Sequence, residues 1–215
     1  MDLQRRALVA AGGALLLPAC ATGAAMSSPT SFDVMPPFPE TPTPGQPGDF
    51  DFLTGEWRIH NRSIVNGEWL EYPGEATVHA ILAGVGSENG MHRRLARIHA
   101  ILAGVGSVEE LRIPARNFSG MGLRLLDVEK RVWADHWVNA RSGVVTVPGQ
   151  LGSFENGAGI FITDDVADGA PVKYVGVWDN ITPRSCRWRQ ASSRDGGQTW
   201  DQNWIMEWSR VSVLR

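Results

Sequence analysis

The sequence predicts an all-β fold, an antiparallel up-and-down barrel preceded by a signal segment and a Pro-rich linker. Three observations carry that expectation. After Asp49, short runs of β-branched and aromatic residues recur between turn signals, with one short arginine-rich stretch as the only helical pattern. Turns such as Val65-Asn66-Gly67, Asp127-Val128-Glu129-Lys130, Glu155-Asn156-Gly157 and Ala167-Asp168-Gly169 join neighbouring runs, so consecutive strands should pair antiparallel. An open meander of about eight to ten strands would leave two bare edges, and closure removes them.

Size and composition agree with one folded domain. The chain has 215 residues, 43% hydrophobic and 20% charged, enough for one sizeable core. A formal net charge of −3 supplies no electrostatic excess for nucleic acid, which is set aside as a partner. Nine of the eighteen aromatic residues are Trp, an unusually large share of large amphipathic rings. Two Cys are too few for a disulfide scaffold, and Cys186 is expected as a buried small hydrophobe.

Residues 1–19 read as an export signal. Arg5-Arg6 precedes an apolar stretch from Ala7 to Leu17 that is too short for a permanent bilayer span. Leu17-Pro18-Ala19-Cys20 resembles the lipobox of bacterial lipoproteins, which implies lipidation of Cys20 and a periplasmic or membrane-anchored product. The twin-arginine and Sec routes both fit, and translation from Met26 or Met35 would instead give a cytoplasmic chain. Residues 20–48 form the linker, in which Pro36-Pro37, Pro39, Pro42, Pro44 and Pro47 favour extended backbone. The barrel is assigned to residues 49–215.

Ten strands are expected there, at 56–64, 69–82, 108–113, 122–127, 132–140, 152–154, 160–164, 172–179, 185–192 and 198–211. The nine residues from His79 to Ser87 recur verbatim from His99 to Ser107, so 79–107 contains a duplicated hairpin segment. One imperfect pair cannot build a solenoid. One copy is expected in a strand and the other in a loop or extension, with Met91–Ile98 as a short surface helix.

The domain opens on Phe50-Asp51-Phe52-Leu53-Thr54-Gly55-Glu56-Trp57-Arg58, whose Gly-x-Trp starts a first strand, and ends on Trp204-Ile205-Met206-Glu207-Trp208-Ser209-Arg210-Val211. Together these segments resemble a bacterial lipocalin-like, calycin-type barrel family. The resemblance implies a barrel with an apolar cavity, one end closed by Trp57 and covered by Arg210. It carries over no catalytic set. Ser193-Arg194-Asp195-Gly196-Gly197-Gln198-Thr199-Trp200 is similar to the Asp box of sialidases and other propellers, which implies a folded hairpin turn; a single copy argues against a propeller.

Alternation assigns faces, because residues two apart share one side of a sheet. Val172, Tyr174, Gly176 and Trp178 share a face, as do Cys186, Trp188 and Gln190, and as do Trp200, Trp204, Met206 and Trp208. The odd face of 132–140 collects Trp133, Asp135, Trp137 and Asn139, followed by Arg141, and is expected inside, leaving His136 outside. The candidate ligand-binding residues are therefore Trp133, Trp137, Tyr174, Trp178, Trp188, Gln190 and Trp204. The candidate acid, base or anion-binding residues are Asp135, Arg141 and His60.

No metal or other cofactor is expected, since the five His and two Cys form no ligand spacing. A phosphate loop and a Gly-x-Ser-x-Gly elbow are also missing, which leaves hydrolase and kinase readings without support. The residues point first to an exported barrel that holds a small hydrophobic or aromatic molecule. Two alternatives remain: an isomerase, lyase or hydratase working by acid-base chemistry in the same pocket, and an interaction lipoprotein with a filled barrel.

Overall fold

The computed structural model describes residues 44–81 and 104–211. Its ten strands are β1 (Gly55–Val65), β2 (Glu68–Ile81), β3 (Gly106–Ile113), β4 (Phe118–Asp127), β5 (Val132–Asn139), β6 (Gln150–Glu155), β7 (Ala158–Ala167), β8 (Ala170–Asp179), β9 (Ser185–Ser193) and β10 (Asp201–Arg210). Each pairs antiparallel with its chain neighbours, and β1 pairs with β10, so the sheet closes as an up-and-down lipocalin-like barrel. The three two-residue hairpins turn at Asn66-Gly67, Asn156-Gly157 and Asp168-Gly169, all with positive φ, which suits the right-handed twist of the flanking strands.

One end of the barrel is plugged. A short 3₁₀ turn, Asp51–Leu53, carries Phe50 and Leu53 into the core beside Trp57, Trp133 and Phe161. Trp57 donates its indole N–H to the Leu53 carbonyl at 2.7 Å, and the Arg210 guanidinium lies over its ring at 4.2 Å. Arg210 donates to the carbonyls of Thr54, Phe52 and Pro183, tying the entry strand, the plug and the β8–β9 loop together. This is the Trp57–Arg210 closure that the resemblance implies. Gly45, within the stretch read as linker, already exchanges hydrogen bonds with Arg131.

The duplicated segment is divided between two strands. His79–Ile81 of the first copy end β2, Gly106-Ser107 of the second begin β3, and Ala80 pairs with Ser107. Both copies thus contribute residues to strands, where only one was expected to. Residues 82–103, with the expected helix, lie outside the described residues, as do the export signal and Cys20.

The face assignment holds through β5, β8 and β9 but fails at Trp200. A register shift between Gln202 and Trp204 inserts a bulge that reverses the alternation. Trp200 consequently packs outside the barrel, against Val175, Val177 and Ala191, and donates its N–H to the Gly197 carbonyl. The Asp-box turn holds it there. Asp195 accepts from the backbone of Gln198 and Thr199 and from the hydroxyls of Ser193 and Thr199, bonds that hold its carboxyl well below the usual range. Cys186 faces inward as a free, buried thiol, and burial pushes its pKa up to about 12.

Candidate functional site

Beyond the plug the barrel is hollow. The cavity has a volume of about 430 Å³ and reaches from the plug toward the loops at the opposite end. Its floor is a buried ion triad built from three neighbouring strands. Arg124 on β4 donates through Nη2 to Glu109 on β3 at 2.5 Å and through Nε to Asp135 on β5 at 3.3 Å. The register places Arg124 directly opposite Asp135. Space for the guanidinium comes from Gly122, where a Cβ would lie 3.1 Å from Arg124 Nη2.

Glu109 and Arg124 are almost fully buried, and the Asp135 side chain keeps 16% of its surface. Burial pushes both carboxyls above their usual range, opposed by the charge and hydrogen bonds of Arg124. For Arg124 the balance reverses: burial acts against its charge, and the two carboxylates outweigh it. The guanidinium is also held between Phe50 and Trp178, at 5.2 and 5.3 Å from the ring centroids.

Aromatic rings make the walls. Trp137 on β5 stacks on Phe118 at 5.7 Å; Trp188 on β9 and Trp204 on β10 meet edge to face at 5.6 Å; Trp178 and Trp208 do so at 5.4 Å. Tyr174, Gln150, Gln190, Thr163 and Asp165 add polar groups. The mouth is framed by residues 142 and 144–148 of the β5–β6 loop, whose Thr146 N–H bonds to the Trp137 carbonyl.

Six of the seven ring and amide residues expected to contact a ligand line this cavity: Trp137, Tyr174, Trp178, Trp188, Gln190 and Trp204. Trp133 faces inward as expected, but lies below the floor, fully buried in the plug, donating its N–H to Asp49. Asp135 is in the cavity, while its two expected companions are elsewhere. Arg141 sits in the turn after β5, exposed, and donates to the Asn117 carbonyl, because the strand ends at Asn139 before alternation can bring it inside. His60 occupies the even, outward face of β1, half-exposed between Glu71 and Glu207. His136 lies off the inward face and bonds the Thr146 carbonyl, although its ring edge reaches the mouth.

Two floor residues, Glu109 and Arg124, escaped the sequence reading. In β4 the leucines mislead: Leu123 and Leu125 face out, Leu125 being exposed, while Gly120, Gly122 and Arg124 face in. In β3 a signal was present, since Glu109 alternates with Leu111 and Ile113, a charge on an apolar stripe. Among the described residues no cluster of three or more potential metal ligands forms.

The fold and cavity define the class, a closed lipocalin-like β-barrel with an internal pocket. No protein-family model and no curated protein matches the chain. Two solved structures are similar to it in fold. Rv2717c from M. tuberculosis superposes with a TM-score of 0.42 at 12% identity, over 76% of this chain and 95% of its own. The S-type phycobiliprotein lyase CPES from Guillardia theta superposes with a TM-score of 0.42 at 10% identity, over 76% of this chain and 91% of its own.

Proposed function

We propose that the barrel is a binding protein for a small, largely apolar aromatic molecule held in the cavity between β3–β5 and β8–β10. The observation that supports this most is the wall itself: five Trp rings line about 430 Å³ of open space instead of filling it. A filled, purely structural barrel would close that volume, since interiors pack near crystalline density. We further propose, from the sequence alone, that the chain is exported through its Arg5-Arg6 signal and tethered by lipid on Cys20. Loss of membrane association in Cys20→Ala supports the tether; unchanged association counts against it.

The second reading is an acid-base enzyme, an isomerase, lyase or hydratase, on the same cavity. It is favoured by one observation, a partly accessible Asp135 whose raised pKa suits proton transfer. Under it, Asp135→Asn removes turnover while an inert apolar ligand still binds.

The test of binding is quenching of Trp emission by N-phenyl-naphthylamine, a neutral apolar probe. Trp137→Ala and Trp188→Ala should each weaken binding about tenfold or more. Trp69→Ala, on the exposed outer face of β2, should leave it unchanged. Arg187 and Arg189, outward by alternation, are unsuitable controls because both are largely buried in ion pairs with Asp179. Equal loss at inner and outer positions, or no quenching, overturns the reading.

A further inference from the structure

Binding in this cavity leaves the charge of the guest open, and the polar groups around it bear on that choice. Three carboxylates sit on inward-facing positions, Glu109, Asp135 and Asp165, against one cationic side chain, Arg124. A fourth, Asp164, lines the mouth but is paired with Lys173 at 2.5 Å. Arg124 is almost fully buried, with two of its three guanidinium nitrogens engaged. Nη2 is on Glu109, Nε is on Asp135, and Nη1 is buried without a partner. Phe50 and Trp178 flank the group. An anionic guest therefore finds no accessible guanidinium or ammonium group among the described lining residues, only the His136 ring edge at the mouth.

The indoles point the same way. The N–H groups of Trp137, Trp178 and Trp208 are buried within the wall, so they offer little to a guest's acceptor oxygen, and the Trp204 N–H is already on Asn61. Trp178 and Trp208 are almost fully buried, and what the partly exposed Trp137, Trp188 and Trp204 present to the cavity is chiefly carbon ring surface, whose faces carry negative quadrupole charge. Asp135 bonds Arg124 through Oδ2, and Oδ1 has no hydrogen-bond partner among the described residues. Burial, and to a lesser extent the nearby Asp165, push the Tyr174 phenol above its usual range, while Arg194 acts in the opposite direction and is turned to Asp168.

We infer that the guest is a lipophilic organic cation, an aromatic body bearing an ammonium-type group that lies against the Trp rings with Asp135 as its counter-charge. The floor already holds one cation in this manner, since Arg124 rests between aromatic rings and carboxylates. This inference rests on the binding-protein reading and specifies its ligand class. A tertiary or quaternary ammonium fits better than a guanidinium, because it needs few hydrogen-bond acceptors and the rings supply most of the contact.

The test uses three probes of one shape and different charge on the full chain: naphthylmethyl-trimethylammonium, its neutral neopentylnaphthalene isostere, and naphthylmethylsulfonate. The cation is expected to bind about tenfold or more tightly than the neutral compound, as desolvated cation–π contacts with a paired carboxylate would give. The sulfonate is expected to bind weakest. Asp135→Asn should remove most of the cation's advantage while the neutral probe binds as before, which shows that the variant's cavity is intact. A neutral probe or sulfonate that binds as well as the cation overturns this inference and leaves the binding-protein reading standing. Failure of all three to bind overturns both. An advantage for the cation that survives Asp135→Asn, with neutral binding unchanged, overturns the assigned counter-charge.

Discussion

At the plugged end, Trp57 and Trp133 each give the indole N–H to an oxygen, Leu53 and Asp49 respectively, and Arg210 spends its guanidinium on three carbonyls. In the hollow part, the N–H groups of Trp137, Trp178 and Trp208 and the Nη1 of Arg124 have no partner. The same residue types thus close one end completely and leave the other unfinished. Buried donors without acceptors each cost on the order of 1–3 kcal/mol, so a region that keeps several gives up stability that the plug retains. The comparison separates tryptophans that hold the barrel together from tryptophans that furnish its cavity.

The largest expected effect breaks the plug. Trp57→Ala should cost about 3–5 kcal/mol of folding stability, the range for deleting a buried Trp, and it also leaves Arg210 without its ring. Chemical denaturation measures this, and apolar-probe affinity in the folded fraction should be unchanged. Trp188→Ala should do the opposite, losing probe affinity with a smaller stability cost, since Trp188 is only half-buried.

A somewhat smaller loss is expected at the floor. Arg124→Met leaves Glu109 and Asp135 buried without a counter-charge, which should cost about 3 kcal/mol or more near neutral pH. Removing Arg124 raises both folded-state pKa values further above their unfolded values. The penalty is therefore full above the folded pKa and fades as pH falls toward the unfolded one. Adding Glu109→Gln and Asp135→Asn to Arg124→Met should recover much of the loss. Denaturation curves that do not depend on pH would contradict the ionised triad.

The third effect concerns binding. Asp135 faces Glu109 on β3, Arg124 on β4 and Gln150 on β6, with His136 beside it in the chain and Asp165 across the cavity on β7. A permanent cation should bind fully above the Asp135 pKa and weaken as pH falls through it. Because burial raises that pKa above 3.8, the weakening should begin at a higher pH than for an exposed aspartate. Fluorescence titration across the acid range checks this.

The architecture was legible because its signals are local. Asn-Gly and Asp-Gly turns fixed the hairpins, alternation placed Trp137, Trp178 and Trp188 inside, and Gly55-Glu56-Trp57 with Arg210 marked the closed end. The site was legible in its rings and less so in its charges. Nothing local pairs Arg124 with Glu109 and Asp135, which meet only through the registers of three strands. Arg141 was misplaced because alternation was extended past the strand's end, and Trp200 because a bulge shifts the face by one residue.

The smallest effect is expected from removing residues 88–107. His79–Ile81 would remain at the end of β2, and the identical Gly86-Ser87 would take the place of Gly106-Ser107 in β3. Shortening the connection favours folding by about 1–2 kcal/mol in loop entropy, so the variant should unfold cooperatively with unchanged probe affinity.

The most direct test of the division between plug and cavity is the set of nine indole N–H resonances, followed by NMR as N-phenyl-naphthylamine is added to the full chain. Resonances of Trp137, Trp178, Trp188, Trp204 and Trp208 should shift on binding, while those of Trp57, Trp69, Trp133 and Trp200 stay in place. Shifts confined to the plug or the outer face, or no shifts at saturating probe, would contradict the account.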